Sequence, residues 1–307
     1  VFIMTASTLL GTMSMWLELN KFVIKTKINL ASLKKHFHET VIYFIPTIAT
    51  SIYTSMDKTL IGLITHSAAE NAYYEQATKI INLVKALTFT SVNAVLGARI
   101  SFLFFKEKYS EIKKNIHLSI DYVMFIGVGI CFGLISISNT FVPVFFGSGW
   151  GKVILILQLF SPQVIIIGIS NCLGSQYYTP AGLRKQSAIY IIIGAIVNLI
   201  LNLILIPKFA SAGATFASII AELTISILYL RNSNGYLDIK FLGQILWKKI
   251  IAGILMCLVI VLYGFWNQPD FIKLFIQFLT GTLTYLLTLF ILKDSSLKMF
   301  FKFVHRG

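Results

Sequence analysis

Residues Ser187–Leu230 read SAIYIIIGAIVNLILNLILIPKFASAGATFASIIAELTISILYL. Two runs of about twenty mostly apolar residues, each long enough to cross a hydrocarbon layer of about 30 Å, are parted only by Pro207-Lys208-Phe209-Ala210. Inside lipid every backbone N–H and C=O must be satisfied within the segment, so each run is predicted as a helix and not a strand. A link this short leaves room only for an antiparallel helical hairpin. Working outward, the same reading predicts spans at Val41–Thr65, Ile80–Phe104, Ile120–Phe146, Val153–Tyr177, Ser187–Ile206, Ser211–Leu230, Ile250–Trp266 and Phe271–Leu292. A partial run, Val1–Leu17, stands before them and reads as the end of a membrane helix whose earlier part lies upstream. The expected fold class is an all-α polytopic membrane protein with about eight full transmembrane helices and one partial N-terminal helix.

Composition agrees. The 307 residues are 56% hydrophobic and only 12% charged, and mean hydropathy is +0.80. Soluble domains carry about 25% charged residues; half that leaves no solvated face. The net charge of +14 is not a nucleic-acid signature, because the basic residues sit in short clusters between apolar runs. Those clusters alternate. Between successive spans one side holds Lys21, Lys25, Lys27, Lys34 and Lys35, then Lys106, Lys108, Lys113 and Lys114, then Arg184 and Lys185, then Arg231, Lys240, Lys248 and Lys249. The tail adds Lys293, Lys298, Lys302 and Arg306, which brings that side to 19; the other side holds four, Lys79, Lys152, Lys208 and Lys273. The positive-inside rule makes the rich side and the C-terminal tail cytoplasmic. Trp16, Trp247 and Trp266 fall at predicted helix ends, where indoles suit the headgroup layer.

Few ionisable groups lie inside spans, where they cost several kcal/mol unless they face a cavity or a partner. They are Asp57 and Lys58 in the second span, Lys85 and Arg99 in the third, and Glu222 in the seventh. Lys58 falls toward the outer end of its span, Lys85 about one turn inside the outer end, Arg99 toward the inner end and Glu222 near mid-depth. Cations at several depths suit a phosphate headgroup passed along a hydrated path. Against this, Lys85 and Arg99 equally suit snorkelling to the two interfaces. Asp57 and Lys58 are adjacent, diverge by about 100° and cannot pair squarely with each other. Either one, or Glu222, also reads as structural glue between helices.

The second span is interrupted by Pro46, Thr47, Thr50, Ser51, Thr54, Ser55 and Thr59; a broken, hydroxyl-rich segment points to a transport path or to a kinked packing helix. Asn171 and Gln176 sit in a polar stretch, Ser170–Gln176, at the inner end of the fifth span. Asn198 and Asn202 share one face of the sixth at i, i+4, and read as helix-joining amides more than as substrate contacts. Ser211-Ala212-Gly213-Ala214 opens a small-residue packing face. Cys131, Cys172 and Cys257 lie in apolar runs without metal-ligand spacing. No phosphate loop, metal-ligand pair or nucleophile elbow occurs, so neither enzyme activity, nor a metal, nor a cofactor is expected.

At certain residues the chain resembles a known family. Phe44-Ile45-Pro46-Thr47-Ile48-Ala49, followed by Tyr53-Thr54-Ser55-Met56-Asp57-Lys58-Thr59-Leu60-Ile61-Gly62, is similar to the helix that opens the second lobe of Wzx-like polysaccharide-transporter flippases. These belong to the multidrug/oligosaccharidyl-lipid/polysaccharide exporter superfamily. Tyr73–Ile80, Phe141–Gly147, Leu159–Pro162, Ser170–Tyr177, Val197-Asn198 through Pro207-Lys208, Gly213-Ala214 and Ala221-Glu222 continue the likeness in order. The resemblance implies two six-helix lobes around a central cavity, with two further C-terminal helices. On that pattern residues 1–17 are the remnant of the last N-lobe helix and 18–40 a basic cytoplasmic inter-lobe loop. Residues 41–230 are the six-helix C-lobe, and 231–307 two extra transmembrane helices with a basic tail.

The implied function is movement of an undecaprenyl-pyrophosphate-linked repeat unit to the outer leaflet of the cell membrane, for capsule, O-antigen or exopolysaccharide. Lys58, Arg99 and Lys85 are the implied pyrophosphate ligands. Asp57, Glu222, Asn171, Gln176, Asn198 and Asn202 are coupling or structural polar residues. The implied partners are the lipid-linked oligosaccharide, the phospholipid bilayer, an N-lobe from the same or a split gene, and a polysaccharide polymerase; nucleic acid is not among them. The chain departs from the family at Gly97-Ala98-Arg99-Ile100-Ser101, where Leu-Pro precedes the arginine elsewhere, and at Ala210, elsewhere glycine. Two other readings stand: a cation-coupled multidrug exporter, and a truncated fragment inactive without a separate N-lobe. Intramembrane cations outnumber Asp57 and Glu222, which favours an anionic substrate.

Overall fold

The computed structural model describes residues 55–263 and 270–297, with residues 6–7 and 9–14 and the single positions 37, 40 and 44. The chain divides into two compact units, Val1–Tyr43 and Phe44–Gly307. In the first, residues 9–14 are helical and the Ser14 hydroxyl donates to the Gly11 carbonyl at 2.8 Å. The basic stretch from Lys21 to Lys35, the interrupted region around Pro46, Trp16 and Trp266 lie outside the described residues.

The described residues of the second unit are helices joined by short turns, without strands. Helix α1 is described over residues 55–65; α2 is Ala68–Phe105, α3 Tyr109–Phe146, α4 Gly151–Phe160, α5 Gln163–Leu173, α6 Arg184–Phe209, α7 Ser211–Arg231, α8 Ile239–Tyr263 and α9 Asp270–Ile291. Six stretches among the described residues are long and apolar enough to cross a membrane. They correspond to α3, the run Gly151–Tyr178, α6, α7, α8 and α9. The protein is a multi-pass α-helical membrane protein. Its outer surface fits lipid: Ile196, Ile200 and Leu203 on α6 and Phe275, Phe278, Leu287 and Phe290 on α9 are exposed, an apolar surface larger than a protein in water carries.

Three helices begin about a dozen residues before the expected spans. The predicted starts were Ile80, Ile120 and Ile250; the observed starts are Ala68, Tyr109 and Ile239. Hydropathy marks only the part of a helix that sits in oil. At about 1.5 Å per residue, the 38 residues of α2 span about 57 Å and must project beyond a core of about 30 Å. The projecting turns carry the signals of a helix start in water: Ser67 caps α2 by accepting from the Glu70 N–H at 3.3 Å. Helix α2 also runs unbroken through Gly97-Ala98, where no proline kinks it.

Pro162 parts α4 from α5, yet Ser161 and Pro162 keep right-handed helical dihedrals, so the two form one interrupted crossing. It ends in a π-helical turn, Gly174–Tyr178, with Thr179 N–H donating to the Gly174 carbonyl at 3.0 Å. The α6–α7 hairpin is tighter than predicted. Helix continues through Pro207 to Phe209, and Ala210 alone makes the link at φ +50°. A Cβ on Gly213 would stand 3.0 Å from the Ile206 nitrogen and closer still to the Leu205 backbone, so only glycine allows this approach. Helices α8 and α9 pack on α3, where the Tyr285 hydroxyl donates to the Phe125 carbonyl at 2.7 Å and Tyr285, Met256, Ile260 and Phe125 share a core.

Candidate functional site

Asp57, on α1, is only 2% exposed. Its carboxylate accepts from the Tyr74 hydroxyl of α2 at 2.5 Å, the Asn202 amide of α6 at 2.6 Å and the Ser218 hydroxyl of α7 at 2.6 Å. The i, i+4 amides meet as their spacing predicts, with Asn202 Nδ2 donating to Asn198 Oδ1 at 3.0 Å and Asn198 Nδ2 to Ser218 Oγ at 3.3 Å. Four helices thus converge on one carboxylate whose donors are all neutral. Asn202 Oδ1 is buried without a partner among the described residues. An unpaired acceptor beside a carboxylate is an arrangement that suits a proton or a small cation.

Lys58, one residue on, turns elsewhere. Its ammonium lies 3.8 Å from Glu75, which also pairs with Lys79 at 3.2 Å. Lys85, partly buried on α2, donates to Gln163 Oε1 at 3.0 Å, with the Glu222 carboxylate of α7 within electrostatic range. Arg99 is exposed near the far end of α2. These three cations do not form one cluster: from Glu75 to Lys85 and on to Arg99 the axis rises about 15 Å and then about 21 Å. They make a ladder along α2, and Lys85 and Arg99 stand about 40° apart around it.

Between the rungs lies a polar hub, of which the sequence singled out Asn171 and Gln176 but not Asn93. Asn93 donates to Asn171 Oδ1 at 2.8 Å and accepts from Ser175 at 2.9 Å and from Gln176 at 3.4 Å. Gln176 is fully buried, and its Oε1 has no partner among the described residues. The π turn presents these side chains; such turns are frequent at functional sites. A cavity of about 370 Å³ adjoins it, walled by Ser170, Asn171, Ser175, Ser187, Glu222 and Tyr229 among others. Only its position inside a span marked Asn93, one more amide in a moderately polar helix.

Two further clusters come from residues read as loop charges or passed over. Glu70 takes Lys152 at 2.5 Å and the hydroxyl and N–H of Ser211 at 2.6 and 3.2 Å. Burial pushes the Glu70 carboxyl up, but Lys152 and Ser211 outweigh it and hold it below the ordinary glutamate value. At the other end Lys249, counted above as a loop cation, is wholly buried within α8. It bridges Asp121 of α3 at 2.7 Å and Asp294 at 3.3 Å, and donates to the Ile245 carbonyl at 3.0 Å. Opposite charges at the lysine-rich ends of three spans were the available signal.

Helices α2, α3, α8 and α9 also enclose an apolar groove of about 730 Å³, lined by Phe125, Ile130, Ile137, Met256, Phe275 and Tyr285 among others. Its α2 edge is Val84 and Leu87, at the depth of Lys85, whose side chain leaves α2 on another side, toward Gln163 of α5.

The described residues form a polytopic helical membrane bundle with a buried polar junction, cations spaced along one helix and an apolar groove. The chain belongs to the polysaccharide biosynthesis protein family, whose model matches residues 1–155. It is 26% identical over 247 residues to the probable low-salt glycan biosynthesis flippase Agl15 of Haloferax volcanii, over 78% of this chain and 51% of that protein. It therefore spans about half the length of the curated relative it matches. In fold it is similar to the lipid II flippase MurJ in an inward closed conformation, with TM-score 0.74 and 21% identity over 92% of this chain and 60% of that one. A MOP superfamily transporter from Pyrococcus furiosus aligns with TM-score 0.52 and 13% identity, over 81% of this chain and 63% of that one.

Proposed function

We propose that the chain is the C-lobe side of a flippase that moves lipid-linked oligosaccharide repeat units across the cell membrane for surface polysaccharide synthesis. One observation carries this reading: the apolar groove and Lys85 stand at the same depth on α2, where Val84 and Leu87 edge the groove and Lys85 leaves the helix on another side, toward Gln163. Its volume of about 730 Å³ lies in the range of ligand sites, about 300–1,000 Å³. In this reading a polyprenyl tail occupies the groove while its phosphate passes along the cation ladder, where Lys85, and then Lys58 or Arg99, neutralise it at successive depths. The groove wants an apolar chain and the ladder an anion; a lipid pyrophosphate is both. A cationic drug satisfies only the first.

In this reading the passes from α1 to α7 are the C-lobe, α8 and α9 are the added helices that wall the groove, and the lysine-rich face and C-terminal tail are cytoplasmic. An N-lobe in the same or a separate chain supplies the opposite wall, and a polysaccharide polymerase takes the product. The Asp57 junction binds the coupling proton or small cation, because it joins four helices through a carboxylate with no fixed counter-ion among the described residues.

The test is transfer of a fluorescent undecaprenyl-pyrophosphate-linked sugar in proteoliposomes containing the protein with its N-lobe. Lys85→Gln and Lys58→Ala are each expected to slow transfer by about tenfold or more, the factor that about 1.4 kcal/mol represents. Wild-type rates in both variants would remove the phosphate role.

A further inference from the structure

On the lysine-rich face, away from the groove and the Asp57 junction, a cavity of about 510 Å³ opens between the first turns of α3 and α8 and the turn after α9. Its rim is Lys113 and Lys114, both exposed, with the hydroxyl-bearing residues Ser110 and Ser295 beside them. Its floor is apolar, made by Leu118, Phe241 and Ile245. His117 stands between rim and floor. Its ring stacks on Phe241 with centroids 3.9 Å apart, and it bonds the Tyr236 backbone. Its Nε2 is buried and has no partner among the described residues.

We propose that this cavity is a binding site for the phosphodiester headgroup of an anionic phospholipid, with the first methylenes of an acyl chain on the apolar floor. Depth is the first support. Lys113, Lys114 and His117 precede the expected hydrocarbon boundary at Ile120 by three to seven residues, or about 5–10 Å along the helix. The headgroup layer occupies that interval, about 5–8 Å beyond each side of the core. Charge is the second. Basic clusters on the cytoplasmic side of membrane helices attract anionic headgroups, and the positive first turn of α3 adds to this.

The acidic groups nearby are already engaged. Asp121 lines the cavity, but Oδ1 takes Lys249 at 2.7 Å and Oδ2 takes Ser295 at 3.0 Å. Glu111 pairs with Lys108 at 2.7 Å. Asp238 caps α8 by accepting from the Phe241 N–H at 2.8 Å. The third support is the unpaired histidine nitrogen, which a headgroup oxygen would fill once the ring is protonated.

The test compares binding of dioleoylphosphatidylglycerol and dioleoylphosphatidylcholine to the purified protein in detergent by native mass spectrometry, for wild type and a Lys113→Gln/Lys114→Gln variant. Both lysines are exposed, so the variant keeps the fold. The expected result is preferential binding of the anionic lipid, weakened about thirtyfold in the variant, from about fivefold per basic residue near the surface. Equal binding to variant and wild type overturns the proposal. Inorganic phosphate provides the second arm: if it occupies the site while the lipid does not, the ligand is a free anion and the lipid assignment is wrong. Independently of any variant, the titration midpoint of His117 followed by NMR should rise when the anionic lipid is added. An unmoved midpoint also overturns the proposal.

Discussion

Two buried carboxylate sites hold this bundle together by opposite means. Around Lys249 the charges are fixed: one ammonium lies between Asp121 and Asp294, and Ser295 and the Ser296 N–H occupy further carboxylate oxygens. Around Asp57 the donors are hydroxyls and amides, and the nearest lysine in sequence, Lys58, faces Glu75 instead. A site closed by its own counter-ion has no reason to exchange ligands. A carboxylate without one can take up and release a proton or a cation as its surroundings change. The first arrangement welds α8 and the end of α9 to α3; the second joins α1, α2, α6 and α7 through something that can alter.

The largest effect should follow from breaking the weld. Lys249→Met leaves two carboxylates buried without their cation, a change that costs about 3–5 kcal/mol. Thermal melting in detergent should show Tm lowered on the order of 10 °C. Replacing all three charges with apolar residues of similar volume should restore most of it, since buried ion pairs seldom outperform good packing. If Lys249→Met melts like wild type, the triad is not what holds these helices.

Asp57→Asn should separate stability from function. The amide still accepts through its oxygen but points its own donors at Asn202, at a cost of about 1–3 kcal/mol. Transport assayed under imposed proton and sodium gradients should lose its dependence on both. Retained gradient dependence would place coupling elsewhere and make Asp57 a weld like Asp121.

What the sequence made legible follows from what each signal measures. Among the described residues, apolar runs located the six stretches able to cross a membrane, from α3 onward, because lipid constrains length and composition together. The pairing of Asn198 with Asn202 followed from helical spacing, and so did the divergence of Asp57 from Lys58. The starts of α2, α3 and α8 were not legible from hydropathy, since a helix leaving the membrane becomes amphipathic without ending. Lys249 and Lys152 were misread because a tally of charge between spans treats every cation as solvated. Only the packed structure shows that Asp121 and Asp294 come from distant segments to meet Lys249, or that Asn93 faces the π turn.

The Glu70 cluster lies between the two extremes and gives the smallest effect. It has one cation, Lys152, and the first N–H of α7, and it stands ten residues before the expected start of its span, within reach of water. Its carboxyl titrates below the ordinary glutamate value of 4.5, so the unfolded chain binds the proton more tightly than the folded one. The contribution is therefore complete above that value and is lost as pH falls through the lower, folded value. Because water screens the pair, it amounts to about 0.5–1 kcal/mol, or a Tm change of about 2 °C. Glu70→Gln should lower Tm by that much at neutral pH, and its melting should match wild type once the pH is low enough to protonate Glu70. A fall on the order of 10 °C instead would make the Glu70 cluster a second weld and remove the gradation from fixed charge to exchangeable charge.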